Sequence, residues 1–386
     1  MACDLCEMGN LIPLSRYGER FKLEQRLMSQ ALSPTAIGKW QPLVMKETYL
    51  LLKHILDFPK EYVPHLRRMA GSLIFTTIYG YHVATDHDPY VEAAEEFMQI
   101  SSYAITAGWL VDFMPFLRWL PWTTFHKIAA EWRVKIGEWV EGPHAMFKAL
   151  PDSNVKRISF CGTLLLNEDG QITNPDIEDR VKWIATSVYG AGSDTTVATL
   201  SQFILAMVHY PHVLRKAQRE IDDVVGPDRL PTFDDRQMPL TPPHLLMQAD
   251  EYRGYRLPKG SFCIANMWAI LHDESLYPDP HKFYPERFEE EMDPDLTKLV
   301  DPDNYAFGFG RRRCPGVHFA NQSLWFAIAS IIACFDIAPA VNEDGLAILP
   351  ELLFAPGAFR HPKPFECSIK PRREAVRTLI QRTAAV

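Results

Sequence analysis

The stretch FGFGRRRCPG at residues 307–316 limits what this chain can become more than any other. A thiol meant only for burial has no use for three consecutive arginines. Neighbouring cations favour the thiolate, the form that acts as a nucleophile or metal ligand. Glycines at 308, 310 and 316 let the backbone turn sharply and approach a bound group closely. Pro315 opens an expected helix, whose N-terminal dipole favours negative charge beside Cys314. Backbone N–H groups after the turn can hydrogen-bond a sulfur, and Arg312 suits a carboxylate. The alternative is a reactive or merely buried cysteine in a basic loop.

The rest of the chain reads as mainly helical with a minor sheet component. Apolar residues recur at helical spacing over 17–31, 41–58, 63–84, 89–105, 177–209 and 323–335. Strand signals are few: two extended runs around a Lys-Gly turn in YRLPKGSFCIANMWAI, and FECSIK near the end. Hydrophobic residues at 47% support a sizeable core, and a net charge of −8 argues against a nucleic-acid binder. Seven scattered cysteines do not describe a disulfide framework and fit a reducing environment. Cys3 and Cys6 read as two thiols, since no second pair follows at metal-binding spacing. Residues 1–10 lack the basic start of a signal peptide, and no long uncharged apolar run predicts a membrane span. Residues 107–133 hold four tryptophans broken by Pro115 and Pro121. They read either as two short packed helices or as an apolar surface that meets a membrane interface or lines a substrate entrance.

Inside the long apolar segment 177–209 lies AGSDTT, residues 191–196. Small residues followed by Ser-Asp-Thr-Thr continue a buried helix poorly. Threonine hydroxyls can bond back to earlier carbonyls and open the ladder, leaving room for a small ligand and water. Thr195 then offers a hydroxyl and Asp194 a carboxylate to hold protons. The bland reading is a glycine-associated kink without chemistry.

An axial thiolate on haem iron accounts for each position of the cysteine loop, with Arg312 paired to a propionate. Here the chain resembles the cytochrome P450 family of haem-thiolate monooxygenases. Phe307, Gly310, Arg312, Cys314 and Gly316 match the fixed positions of the family's haem loop, and Ala320 fits the following helix. Asp194 and Thr195 match its acid–alcohol pair, residues 283–288 (FYPERF) match its PERF segment, and His244 stands where many members bind a propionate. The resemblance implies the cytochrome P450 fold and one catalytic domain over 1–386. It implies haem b, dioxygen, an NADPH-dependent reductase, and a small apolar substrate that receives one oxygen atom. The style is that of fungal microsomal members, which serve secondary metabolism on the cytosolic face of the endoplasmic reticulum.

Two departures qualify the resemblance. The family's Glu-x-x-Arg helix is absent between Leu240 and Thr241, and the chain's Glu374-x-x-Arg377 lies far past the haem loop. In the family that Glu and Arg form a buried network with the PERF arginine, here Arg287. Stripping a partner from such a network costs about 3–5 kcal/mol, a large share of a stability of about 5–15 kcal/mol. The membrane anchor and first sheet strands of the family are also missing, so the chain reads as truncated, and as cytoplasmic or peripheral. Phe21 and Gln25 stand where members place a Trp and a propionate-binding Arg, with Arg26 one place late. A catalytically inactive remnant that does not load haem, or an apolar-ligand or membrane-surface binding protein, is therefore the alternative.

Overall fold

The computed structural model describes residues 1–384 except 86, 107, 121–122, 227, 236–249, 253–254, 258–264, 289–298 and 357–359. Two compact units emerge, one of residues 1–231 with 326–386 and one of residues 232–325.

The first unit is built on helices α1 (Glu19–Ala31), α2 (Gln41–Asp57), α3 (Tyr62–Tyr79), α4 (Pro89–Thr106), α5 (Thr124–Ala149), α6 (Pro175–His209) and α7 (Pro211–Val224). The 35-residue α6 starts where Asn174 accepts the N–H groups of Asp176 and Ile177, with Pro175 at the first helical position. Asp176 and Glu178 in its first turn complement the dipole. Its middle is buried against α3 and α4. Tyr189 meets Phe75 with ring centroids 4.1 Å apart, and Trp139 of α5 closes the cluster at 5.2 Å from Tyr189. Gly190 and Gly192 permit this approach. A Cβ on Gly190 would lie 2.8 Å from Met98 Sδ, and one on Gly192 2.9 Å from Ile74 Cδ1.

Helix α3 ends five residues short of its expected limit of 84 because Gly80, at φ 73°, caps it in the left-handed region. Helix α8 (Val317–Cys334) begins six residues before the expected 323. It is long and apolar enough to cross a membrane by length and composition, and 67% of it is buried inside the protein. It leads into strand β3 of a sheet ordered β4-β3-β5 (the two hairpin strands of the second unit being β1 and β2), all antiparallel. The strands are β3 (Phe335–Val341), β4 (Ala347–Ile348) and β5 (Cys367–Pro371), with Ile337 opposite Ile369. Helix α9 (Glu374–Thr383) closes the chain and holds Glu374 and Arg377 as an exposed intrahelical pair at 3.3 Å.

In the second unit β1 (Asp250–Tyr252) pairs antiparallel with β2 (Tyr255–Leu257). The extended run expected around 261–270 is corrected at its end. Met267–Leu271 is a short helix, because the Asn266 side chain accepts the Ala269 N–H at 3.0 Å and caps it.

Phe75 is fully buried and touches five other aromatic rings. Phe75→Ala should cost about 3–5 kcal/mol, read as a shift in the urea midpoint with little change in slope.

Candidate functional site

The cysteine loop sits between the short helix Asp303–Ala306 and α8. Cys314 N–H donates to the Phe307 carbonyl at 2.8 Å, closing the loop across seven residues. Gly308 and Gly310 take φ of 77° and 56°, so both positions require glycine. Gly310–Arg312 forms one 3-10 turn, and Arg313 N–H returns to the Gly310 carbonyl at 3.1 Å. The half-buried Cys314 thiol faces the backbone N–H groups of Gly316 and Val317 at the start of α8. A Cβ on Gly316 would stand 3.8 Å from the sulfur.

This arrangement fits a group held through a thiolate. The Gly316 and Val317 N–H groups favour the ionised sulfur, a helix begins beside it, and the glycines keep bulk away. The charge balance differs from the sequence expectation. Burial pushes the Cys314 thiol up, while the Gly316 N–H, the Arg313 charge and the Val317 N–H pull it down without prevailing. Arg311 and Arg313 are exposed to solvent, which screens them, and Arg312 is half-buried. Burial thus leaves the sulfur dependent on a cation at its face for ionisation.

Asp194 and Thr195 lie on α6, in the first unit. Thr195 Oγ1 donates to the Ala191 carbonyl at 2.7 Å and Thr196 Oγ1 to that of Gly192 at 2.7 Å. The back-bonds expected from the sequence are present, yet α6 runs as one uninterrupted helix. Thr195 and Ala191 are exposed on one face, as residues four apart must be. Asp194 turns aside and accepts a hydrogen bond from His361 Nε2 at 2.9 Å. Together they line a cavity of about 250 Å3 with Glu95, Arg67 and Met98. Burial pushes the Glu95 carboxyl up against the opposing pull of Arg67, whose Nε is 3.1 Å away. Glu95, Arg67 and His361 were not legible as site residues. His361 lies 167 residues from Asp194, and no motif spacing links them.

His244 and the junction after Leu240 lie outside the described residues. Phe21 is buried, whereas Arg26 is exposed and donates to the Lys22 carbonyl at 3.4 Å.

Arg287 of the PERF segment overturns one expectation. Its guanidinium is not stranded. It donates to the carbonyls of Tyr284, Pro278, Asp279 and Lys282 at 3.0, 2.6, 3.1 and 2.9 Å. The planar fork suits four acceptors from one tight segment. The same segment is fastened toward the cysteine loop by the buried Tyr277, whose hydroxyl donates to the Val300 carbonyl at 3.0 Å.

Comparison with known proteins follows these features. The cytochrome P450 family model matches residues 7–242 and 238–368. A cytochrome P450 monooxygenase of Ampulloclitocybe clavipes, claT, is 58% identical over 394 positions, covering 97% of this chain and 79% of that protein. Cytochrome P450 monooxygenase 105 of Postia placenta is 34% identical and covers 98% and 77%. A zebrafish cytochrome P450 solved with abiraterone shares the fold at a TM-score of 0.72 and 22% identity, over 96% of this chain and 87% of that one. The chain belongs to the cytochrome P450 family. By family it is an oxidoreductase, a monooxygenase whose class binds haem through a cysteine thiolate and uses dioxygen, a redox partner and an organic substrate.

One charge-assisted hydrogen bond is worth about 1.5–3 kcal/mol. Arg287→Ala should therefore speed amide hydrogen exchange across 278–288 by about tenfold or more, with partial recovery in Arg287→Lys. Unchanged exchange in the alanine variant would show that the carbonyls do not depend on the guanidinium.

Proposed function

We propose that this chain is a haem b monooxygenase of fungal secondary metabolism, with Cys314 as the axial ligand and electrons from an NADPH-dependent reductase. The observation that carries the reading is the glycine-bearing loop that Cys314 N–H closes onto the Phe307 carbonyl at 2.8 Å, with the Gly316 and Val317 N–H groups favouring the thiolate. When bound, haem supplies the iron that activates dioxygen for insertion of one atom into the substrate. Arg312 pairs with a propionate, while Phe307, Gly310 and Gly316 shape the loop around the macrocycle. His244 is proposed as a second propionate partner. Thr195 presents its hydroxyl on the exposed face of α6 and Asp194 supplies the proton from beside it. The substrate is a small, largely apolar molecule.

A second reading, a remnant that does not load haem, draws on a specific pair of observations. The family model matches in two pieces that meet at 238–242, where the Glu-x-x-Arg helix is absent. The alignment with claT also runs to 394 positions against 386 residues here, so that relative carries positions without a counterpart. Against it stands Arg287, which has acceptors of its own.

The Trp-rich segment supports peripheral contact with the cytosolic face of the endoplasmic reticulum. Leu110, Phe113, Phe116 and Trp119 are 62%, 75%, 62% and 72% exposed in the short helices Leu110–Phe113 and Pro115–Trp119. Arg118 stands 4.9 Å from the Trp119 ring, the pairing of aromatic and cation that suits a headgroup layer.

The test is the reduced, carbon-monoxide-minus-reduced difference spectrum of the chain expressed with haem supply. A thiolate-type band is expected, and its absence from Cys314→Ala. No haem, or only the blue-shifted band of a lost thiolate, would favour the remnant. In the loaded enzyme Asp194→Asn should lower product formation by about 10²-fold, the lower bound for a lost proton donor. Phe113→Ser with Trp119→Ser should reduce co-sedimentation with anionic vesicles and leave the spectrum unchanged. Equal co-sedimentation would remove the membrane role from this segment.

A further inference from the structure

Helix α6 is tied along one side to Pro350, Arg360 and His361. Asp194 bonds His361, Gln202 Nε2 donates to the Arg360 carbonyl at 2.8 Å, and His209 Nε2 meets the Pro350 carbonyl at 2.9 Å. These positions, eight and seven residues apart, recur on the same flank of a helix. The described residues on either side of 357–359 run as the two arms of a hairpin: Phe354 and Pro362 form an antiparallel bridge, and Ala355 N–H donates to the His361 carbonyl at 2.8 Å. Two of the three ties reach backbone carbonyls. The third joins two side chains, and one of them is the acid of the acid–alcohol pair.

We propose that His361 is the positioning residue for Asp194, and that it couples the acid to whatever fills the adjoining cavity; this rests on the monooxygenase reading above. Asp194 and His361 are each partly buried, at 23% and 30% exposure, so water only partly screens the bond between them. The cavity is walled by the pair, by Ala355 and Pro356 of the hairpin, and by Ala94, Glu95 and Met98 of α4. A molecule entering it touches both ends of the Asp194–His361 bond. The other charged groups there, Glu95 and Arg67, already bond each other at 3.1 Å, which leaves His361 as the donor that sets where Asp194 points. With the bond made, the carboxylate is held at the cavity wall, one residue along α6 from Thr195. Without it, the carboxylate is free to swing towards solvent, and proton supply to Thr195 falls. A positioning error of about 1 Å costs up to about 10²-fold in rate.

The test has two parts. Amide hydrogen exchange at Ala355, His361 (or its replacement) and Lys363 is read on His361→Ala, Asp194→Ala and the double variant, with or without haem. It therefore decides the tether even if haem loading fails. Faster exchange in each single variant, with no further gain in the double, is expected for one shared bond. No change, or additive changes, would overturn the proposal. In the loaded enzyme His361→Ala should lower product formed per electron pair by about tenfold to 10²-fold, with the surplus appearing as peroxide, and with KM nearly unchanged. His361→Gln, which keeps an N–H donor at the same reach but cannot titrate, should restore most of the coupling. If His361→Gln is as impaired as His361→Ala, the histidine passes protons and does not position the acid, and the proposal falls.

Discussion

The contact of α6 with α3, through Tyr189 and Phe75 at 4.1 Å, is the constraint on which the larger unit depends. It fixes the rotation of α6 about its own axis. That rotation decides which residues of the AGSDTT run are buried and which are presented. Ser193 and Thr196 go into the core, Ala191 and Thr195 come out on one face, and Asp194 falls between them. A turn of the helix by one residue, about 100°, would bury the alcohol and expose a serine. Gly190 and Gly192 matter because they let α4 and α3 press close enough to hold that setting.

The smaller unit obeys a different logic. Among its described residues few apolar side chains are buried, and hydrogen bonds made over short distances in the chain order them. Arg287 gathers four carbonyls, Tyr277 reaches Val300, Tyr305 reaches Leu299 at 2.6 Å, and Cys314 reaches back to Phe307. Local closure of this kind demands little of distant elements. It gives the cysteine loop a framework that does not call on the Glu-x-x-Arg pair the sequence lacks.

Much of this was legible in the sequence because periodicity and local chemistry were enough. The long helices declare themselves by apolar spacing, and the turns at Gly308 and Gly310 by glycines at two positions that both take positive φ. Met267–Leu271 misled because its residues suit a strand equally, and a single Asn266 cap decided for helix. The fate of Arg287 was hidden because its partners are carbonyls, which every sequence supplies. His361 was hidden because its partner is 167 residues away, and tertiary pairing of that range leaves no trace in spacing. The thiol of Cys314 was misjudged in degree because a row of arginines says nothing about which of them face water.

The ties between α6 and the hairpin carry a consequence for variation. Gln202 and His209 grip carbonyl oxygens, which are the same whatever side chain is attached. The hairpin's course is thereby held while its side chains stay at liberty. Residues such as Ala355 and Pro356 could be exchanged for larger or more polar ones without loosening the path of the chain. The helix in effect reads the hairpin's route and ignores its spelling, at every tie but one. Change on that side of the cavity could then accumulate in single steps, each leaving α6 as it was.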